Sequence, residues 1–396
     1  MGICRICENR AFPFLNLGLQ PFANKYPGNT KEIINEQKHE MLIEFCETCR
    51  SAQISTIIDR SLMFNDYYYL SSVNKELVSH FDEFAENELK NCEFVLDIGS
   101  NDGILLRPLK KMGIKAIGID PSINVGKLAN DEGLETIIGF LNSTTTKKIK
   151  TEYGMPDAIV ASSVFTHIED PKTFINDVKF LCDDSTSVYI EIEYLGNLIK
   201  NLQFERFYFD RPHYYSIKGV ETLFLSAGFV LTSVKEIAPH GGSLRLKFNL
   251  KTGSVVVDES VSEFLEKEQS LLSENAISSF SSTVNREAKA FVKLLESLKA
   301  EGKKVIGYGA PARLATITNY CQIDSSLISF IMEDSPLKIG RKTPGKHIEI
   351  LSSDKMSEID FDVLIVFAYE YIDSIKVKTS KFNVPHYKPI PTTLMF

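Results

Sequence analysis

The chain has 396 residues, 43% apolar and 24% charged, which argues against wholesale disorder and gives length for two or three domains with real cores. Its 44 Lys and Arg against 52 Asp and Glu leave a net charge of −8 with no basic run, so no nucleic-acid partner is expected. Apolar runs fall short of the ~18 residues a bilayer span needs. The opening Met1–Cys7 stretch lacks the basic-then-apolar order of a secretion signal and has Ile6 where myristoylation wants Ser or Thr, so a cytoplasmic protein with no membrane partner is expected.

Four of the seven cysteines form two Cys-x-x-Cys pairs, Cys4/Cys7 and Cys46/Cys49, with 38 residues between them. A two-residue gap lets a tight turn aim two thiolates at one ion, and two such knuckles fill a tetrahedral zinc site with no position left for water. The zinc is therefore expected to be structural. Paired disulfides fit a cytoplasmic chain poorly, and neither pair has the thioredoxin-like surroundings of a redox motif. Residues 1–75 read as a separate small zinc module in which Pro13, Gly18, Pro21, Pro27 and Gly28 break regular structure. It ends on the tyrosine cluster Asp66–Ser72, read first as packing, with Tyr69 as a reserve catalytic phenol.

Residues 94–120 follow the order strand, glycine turn, helix, strand, acid: Phe94-Val95-Leu96, then Asp97-x-Gly99-x-Asn101-Asp102-Gly103, then helical spacing through Leu109 and Met112, then Lys115–Ile119 and Asp120. That order supports nucleotide binding at the carboxyl edge of a parallel sheet. The second and third glycines of a dinucleotide fingerprint are missing, and Asp97 and Asp102 crowd the turn. Acids repel a pyrophosphate and suit a cation without phosphates, which points to S-adenosylmethionine (SAM) rather than NAD. The expected SAM residues are Asp97, Gly99, Asn101, Asp102, Gly103, Asp120 and Ser162, with Asp120 on the ribose hydroxyls. Further strands are expected at Gly133–Ile138, Ala158–Ala161 and Ser187–Glu193. His167, just past the fourth, lies at the edge where chemistry is done, as does Glu191 or Glu193.

These motifs together resemble the nucleotide-sugar C-methyltransferase family, nearly end to end. The cysteine pairs, Gln20–Asn24 and the tyrosine cluster resemble its first module. Asp97–Gly103, Asp120 and His167 resemble its SAM domain, and His240-Gly241-Gly242-Ser243-Leu244-Arg245 resembles the family's His-Gly-Gly-Ser-Leu-Arg run. Gly307–Ala312 and the Pro336–Gly345 run resemble its last domain. The resemblance implies an α/β protein: a Rossmann-like SAM methyltransferase domain (76–250) flanked by the zinc module (1–75) and, after a helical connection (251–300), a second Rossmann-like α/β domain (301–396) that closes over the substrate. It implies a nucleotide-linked 4-keto-sugar substrate, deprotonated at carbon 3 to an enolate that takes the SAM methyl.

Two departures stand beside the presumed substrate. Where the family has Tyr-His-Glu-His, this chain has Tyr208, Phe209, Asp210 and Arg211, so both imidazoles are absent. Arginine cannot act as a base at neutral pH. The duty then falls on His167, with His213 or Tyr69 in reserve, and an Arg beside an Asp suits an anionic or polar acceptor. In the last domain the family's Gly-Asn pair is replaced within Arg313-Leu314-Ala315-Thr316, where the leucine is expected to narrow the crevice. An O- or N-methyltransferase on a related acceptor, and a SAM-binding scaffold without catalysis, remain the alternatives; oligomeric state is not legible.

Overall fold

The computed structural model describes residues 2–59, 70–239, 242–252 and 255–396. The chain opens with antiparallel strands β1 (Gly2–Ile3), β2 (Arg10–Pro21), β3 (Lys38–Phe45) and β4 (Ala52–Ile54). Contrary to the expectation of irregular structure, β2 runs through both Pro13 and Gly18. Its register on β3 slips between Pro13 and Leu15 and again between Asn16 and Leu19, and such bulges let a strand carry a proline and a left-handed glycine.

The second sheet contains β5 (Phe94–Ile98), β6 (Lys115–Asp120), β7 (Thr136–Ile138), β8 (Ala158–Ser162) and β9 (Ser187–Glu193). A two-residue strand, β10 (His213–Tyr214), then leaves this region to pair with β4 in the first sheet. The chain returns with β11 (Phe229–Ile237) and β12 (Ser243–Leu250). Their order is β11-β12-β9-β8-β5-β6-β7, parallel except for β12 and β11. All of β5 and nearly all of β8 and β9 are buried, as apolar runs in the middle of a parallel sheet must be. The strand order reverses between β5 and β8, which opens a crevice at their carboxyl ends.

Two helices, Glu259–Leu271 and Glu274–Ala300, form the connection, divided where the Ser273 side chain caps the second by accepting the Ala276 N–H. The third sheet then contains β13 (Val305–Tyr308), β14 (Phe330–Glu333), β15 (Glu349–Ser352), β16 (Val363–Val366), β17 (His386–Lys388) and β18 (Thr393–Leu394), in the order β15-β14-β13-β16-β17-β18. It is parallel from β15 to β17 and reverses between β13 and β16.

The first sheet is not packed as a separate bead. Leu15, Met41, Ile43 and Ile54 share one apolar core with Phe204, Phe207, Val284, Leu314 and Ile365 of the later segments. Its cysteine end shares another with Ile190, Tyr215 and Phe224 of the second sheet. Among the described residues, no helix is long and apolar enough to cross a membrane.

Candidate active site

The four sulfurs of Cys4, Cys7, Cys46 and Cys49 all lie within 4.8 Å of one another, with Cys4–Cys49 at 3.6 Å and Cys7–Cys46 at 3.5 Å. Those separations are too long for disulfides and close to the ~3.8 Å edge of a tetrahedron with Zn–S bonds of ~2.3 Å. The donor set therefore fits one zinc with no open position. What the knuckles hold is informative. Arg5, inside the first, donates from Nη2 to the carbonyls of Ile54 (2.7 Å) and Pro212 (3.0 Å). The Ser216 hydroxyl donates to the Cys49 carbonyl at 2.6 Å. The zinc end of the first sheet thus anchors both ends of the run 212–216, directly after Asp210 and Arg211.

At the β5–β6 edge, Gly99 and Gly103 have φ of +76° and +82°. A Cβ on Gly99 would come within 2.0 Å of Val164, and one on Gly103 within 2.5 Å of Leu134, so the turn admits no side chain at either place. Asp120 accepts the N–H groups of Asn101 (3.0 Å) and Ser122 (2.8 Å), one on each oxygen, which orients the carboxylate. Asp97 is buried, and its carboxyl is pushed up to about 8, first by burial and then by the nearby Asp120 and Glu191. The Ser162 hydroxyl is buried without a hydrogen-bond partner. A cradle closed to any Cβ, a deep acid and an orphaned hydroxyl fit a cationic nucleoside cofactor such as SAM.

Two expected cofactor residues are differently occupied. The Asn101 side chain accepts the Ser71 N–H at 3.0 Å; the Asp102 carboxylate accepts both the backbone N–H and the hydroxyl of Ser72. They clasp Ser71 and Ser72, the end of that cluster, onto the glycine turn. Tyr69 itself lies outside the described residues, as do His240 and Gly241.

His167 sits in a single 3₁₀ turn, Phe165–His167, reached through Ser163 in a left-handed conformation (φ +58°). Its Nδ1 is 2.5 Å from the Asp210 carbonyl oxygen and 4.0 Å from that residue's carboxylate. A carbonyl only accepts, so the proton resides on Nδ1 and the lone pair on Nε2. Burial pushes the Asp210 carboxyl up to about 6. Arg211 bonds Glu193 at the end of β9, and its guanidinium lies 5.6 Å from the centre of the Tyr208 ring. Tyr208, Asp210, Arg211, Glu193 and His167 therefore come together. His213 does not join them. It is fully buried in β10, stacked on Tyr215, with Nε2 3.3 Å from the Glu169 carbonyl, and burial lowers its pKa to about 3. It is a neutral ring built into the first sheet and a poor base.

The carboxyl edges of the second and third sheets meet here. Glu193 bonds Arg206 at 2.5 Å, and Arg206 reaches across to Glu370, just past β16. Glu370 also accepts from Arg313 at 2.7 Å, and Tyr369 donates to Glu205. Leu314, expected to narrow the crevice, is fully buried in the apolar core; its neighbour Arg313 is the residue at the edge. Sequence reasoning missed Glu205, Arg206, Tyr369 and Glu370, which carry no motif. It also missed His80, on the helix Lys75–Phe84, which shares Glu191 with Arg245 at 3.0 Å and 2.6 Å. The clue to that cluster was Glu191 at a strand end.

Residues 4–64 match a zinc binding domain family, 69–234 a methyltransferase domain family and 238–386 the C-methyltransferase C-terminal domain family. The C-methyltransferase NovU of Streptomyces niveus is 26% identical over 380 residues, covering 94% of this chain and 90% of NovU. The mitochondrial ubiquinone biosynthesis O-methyltransferase of Bos taurus is 35% identical over 86 residues, 20% of this chain and 23% of that protein. Among solved structures, magnesium protoporphyrin IX methyltransferase from Synechocystis with bound SAM aligns at 15% identity and a TM-score of 0.33, covering 48% of this chain and 90% of that one. The PH0226 protein of Pyrococcus horikoshii aligns at 17% and 0.38, covering 50% and 100%.

Proposed function

From the premise that the chain belongs to the SAM-dependent C-methyltransferases, with their zinc-binding, methyltransferase and C-terminal domains in order, we propose that it methylates a carbon of a nucleotide-linked keto-sugar held between its two parallel sheets. Asp97, Gly99, Gly103, Asp120 and Ser162 are the residues that would hold SAM. When bound, SAM supplies a methyl group made electrophilic by its sulfonium.

The rest falls to the chain's own side chains. A sugar C–H is acidic only when a neighbouring ketone can take the charge, so the site needs a base at that carbon and donors at the ketone oxygen. His167, with its lone pair fixed on Nε2 by the Asp210 carbonyl, is the base. Asp210, whose carboxyl titrates near 6, holds a negative charge beside the imidazolium that forms. Arg211 takes the place of the family's last histidine. It cannot accept a proton, but as a permanent cation it stabilises the enolate oxygen. The observation that carries this reading is the convergence of His167, Asp210 and Arg211 where the two sheet edges meet.

The test is transfer of labelled methyl from SAM to a panel of nucleotide-linked 4-keto-sugars deuterated at carbons 3 and 5, the two positions the ketone acidifies. Transfer with loss of deuterium is expected. Transfer with deuterium retained would select the second reading, O- or N-methylation, which the absent second imidazole favours. No transfer to any member would overturn the reading in favour of a scaffold.

A further inference from the structure

Arg206 and Arg313 are buried, with side chains 6% and 8% exposed. They come from different sheets, Arg206 from the run after β9 and Arg313 from the first turn of the helix Ala312–Tyr320 after β13. One carboxylate, Glu370, bridges them, with Oε1 on Arg206 and Oε2 on Arg313. Glu370 is the exposed member of the trio. It sits on the short turn Tyr369–Tyr371 with its side chain 30% open to solvent. It can exchange into water, and the two guanidiniums cannot.

The consequences of such an exchange differ for the two arginines. Arg206 keeps Glu193. Arg313 keeps the face of the Tyr369 ring, 4.4 Å away, but has no other ion pair among the described residues. Its Nε and Nη1, and the Nε of Arg206, are buried without hydrogen-bond partners even with Glu370 in place. Lys388, 4.4 Å from the same tyrosine ring, adds a further cation. A buried guanidinium stripped of its counter-ion is costly, and a forked donor with vacant N–H groups suits a planar two-oxygen anion. The site is also continuous with the reacting groups, since the second oxygen of Glu193 holds Arg211, next to Asp210 and His167.

We propose that Glu370 is a stand-in for a carboxylate carried by the sugar of the acceptor, which displaces it from Arg206 and Arg313 and so selects acidic sugars. The proposal rests on the reading that the acceptor enters between the two sheets. A carboxylate is the anion inferred because a carboxylate is what the pair of guanidiniums already holds, one oxygen each.

The test uses binding alone. D-glucuronate, D-glucose and inorganic pyrophosphate are titrated by calorimetry, at matched ionic strength, into the full-length protein loaded with S-adenosylhomocysteine. Glucuronate should bind and glucose should not. Glu370→Gln, which removes the competing charge from a partly exposed position, should tighten glucuronate about tenfold, the order set by one charge-assisted hydrogen bond. Arg313→Gln should weaken it at least about tenfold. Because Arg313 is buried and its variant is at risk of misfolding, Glu370→Gln decides the matter. Glucuronate affinity unchanged within about twofold in that variant, no heat from glucuronate, or the gain appearing for pyrophosphate instead would each overturn the proposal. Failure of the methyl-transfer panel with glucuronate still gaining in Glu370→Gln would sink the nucleotide-sugar reading alone.

Discussion

The β5–β6 edge and the β13–β14 edge are built alike and charged oppositely. In each, an acid ends the second strand and accepts one backbone N–H from the turn after the first strand and others from the residues just past itself. Asp120 takes Asn101 and Ser122; Glu333 takes Ala310, Asp334 and Ser335. Beyond that shared device the surroundings diverge. The first edge holds Asp97 deep beside Asp120 and Glu191. The second holds Lys338, bonded to the Ala310 carbonyl at 2.9 Å, with Arg313 and Lys388 nearby. The backbone provides the same crevice twice, and on the reading proposed above the charges around it would set which ligand each accepts, a cation at the first and an anion at the second, with the run Phe204–Arg211 between them.

The most severe way to break the comparison is to remove the group between the edges. His167→Ala should lower turnover by roughly 10²–10⁴-fold, the usual contribution of a positioned base. SAM affinity should stay within about twofold, since His167 belongs to neither ligand's edge. His167→Gln should be nearly as impaired, because an amide cannot take the proton. His213→Ala should lose activity only through stability. Turnover of His167→Ala near that of the wild type would move the base elsewhere.

The two edges are then separated by paired substitutions. Asp120→Ala should weaken SAM by at least about tenfold, given ~1.5–3 kcal/mol for each charged hydrogen bond lost. Arg313→Gln should leave SAM affinity unchanged. If both variants weaken SAM equally, the edges are not independent and the charge argument fails.

How much of this was legible in the sequence follows from the range over which each signal acts. The zinc ligands and the glycine turn announce themselves because their chemistry fixes local spacing: two residues between thiolates, three between Gly99 and Gly103. The strands of the second sheet were legible as apolar runs, because its central members are buried on both faces. The pairing of Arg206 and Arg313 through Glu370 was not, since it joins residues more than a hundred positions apart with no spacing rule. For the same reason the sequence offered His213 as a substitute base. Only the pairing of β10 with β4 shows that its ring belongs to the first sheet. Asn101 and Asp102 were assigned to the cofactor by motif position; the bonds of Asn101 Oδ1 and Asp102 Oδ2 to Ser71 and Ser72, some thirty residues away, carried no such signal.

A third prediction sharpens the charge contrast through pH. With Asp97 pushed up to about 8, much of it is neutral at pH 7 in the empty site. The ionised form attracts a sulfonium and an ammonium, so SAM should bind more tightly as pH rises through about 8. Below that, affinity should fall by about tenfold per pH unit, because binding must first drive off a proton. Asp97→Asn should flatten the profile. On the empty protein the sign is reversed. The neutral carboxyl is the favoured form in the fold, so its contribution to stability is whole below the unfolded value of ~3.9 and is lost as pH rises through about 8. Calorimetry from pH 6.5 to 9 reads the first effect. A wild-type profile as flat as that of the variant would remove Asp97 from the cofactor site.

The smallest expected effect lies furthest from either edge and concerns what holds them in register. Arg5 sits between the two cysteines of the first knuckle and donates to the carbonyls of Ile54 and Pro212. Pro212 directly follows Arg211, so the zinc end of the first sheet sets the position of the run that carries Asp210 and Arg211. Arg5→Ala removes two charged hydrogen bonds and leaves two carbonyls to find other donors, at about 1–3 kcal/mol. In a chain of 396 residues that lowers Tm by only a few degrees, about 1–2 °C for each kcal/mol. If the knuckle acted on stability alone, the kinetic constants at 25 °C would not move. Because it positions the acceptor run, KM for the acceptor should rise several-fold while SAM affinity, set at the other edge, stays constant. Arg5→Lys, which restores one donor but not the fork, should recover part of the Tm and less of the KM. Equal losses at both ligands would mean that the zinc end supports the whole crevice and not the acceptor run in particular.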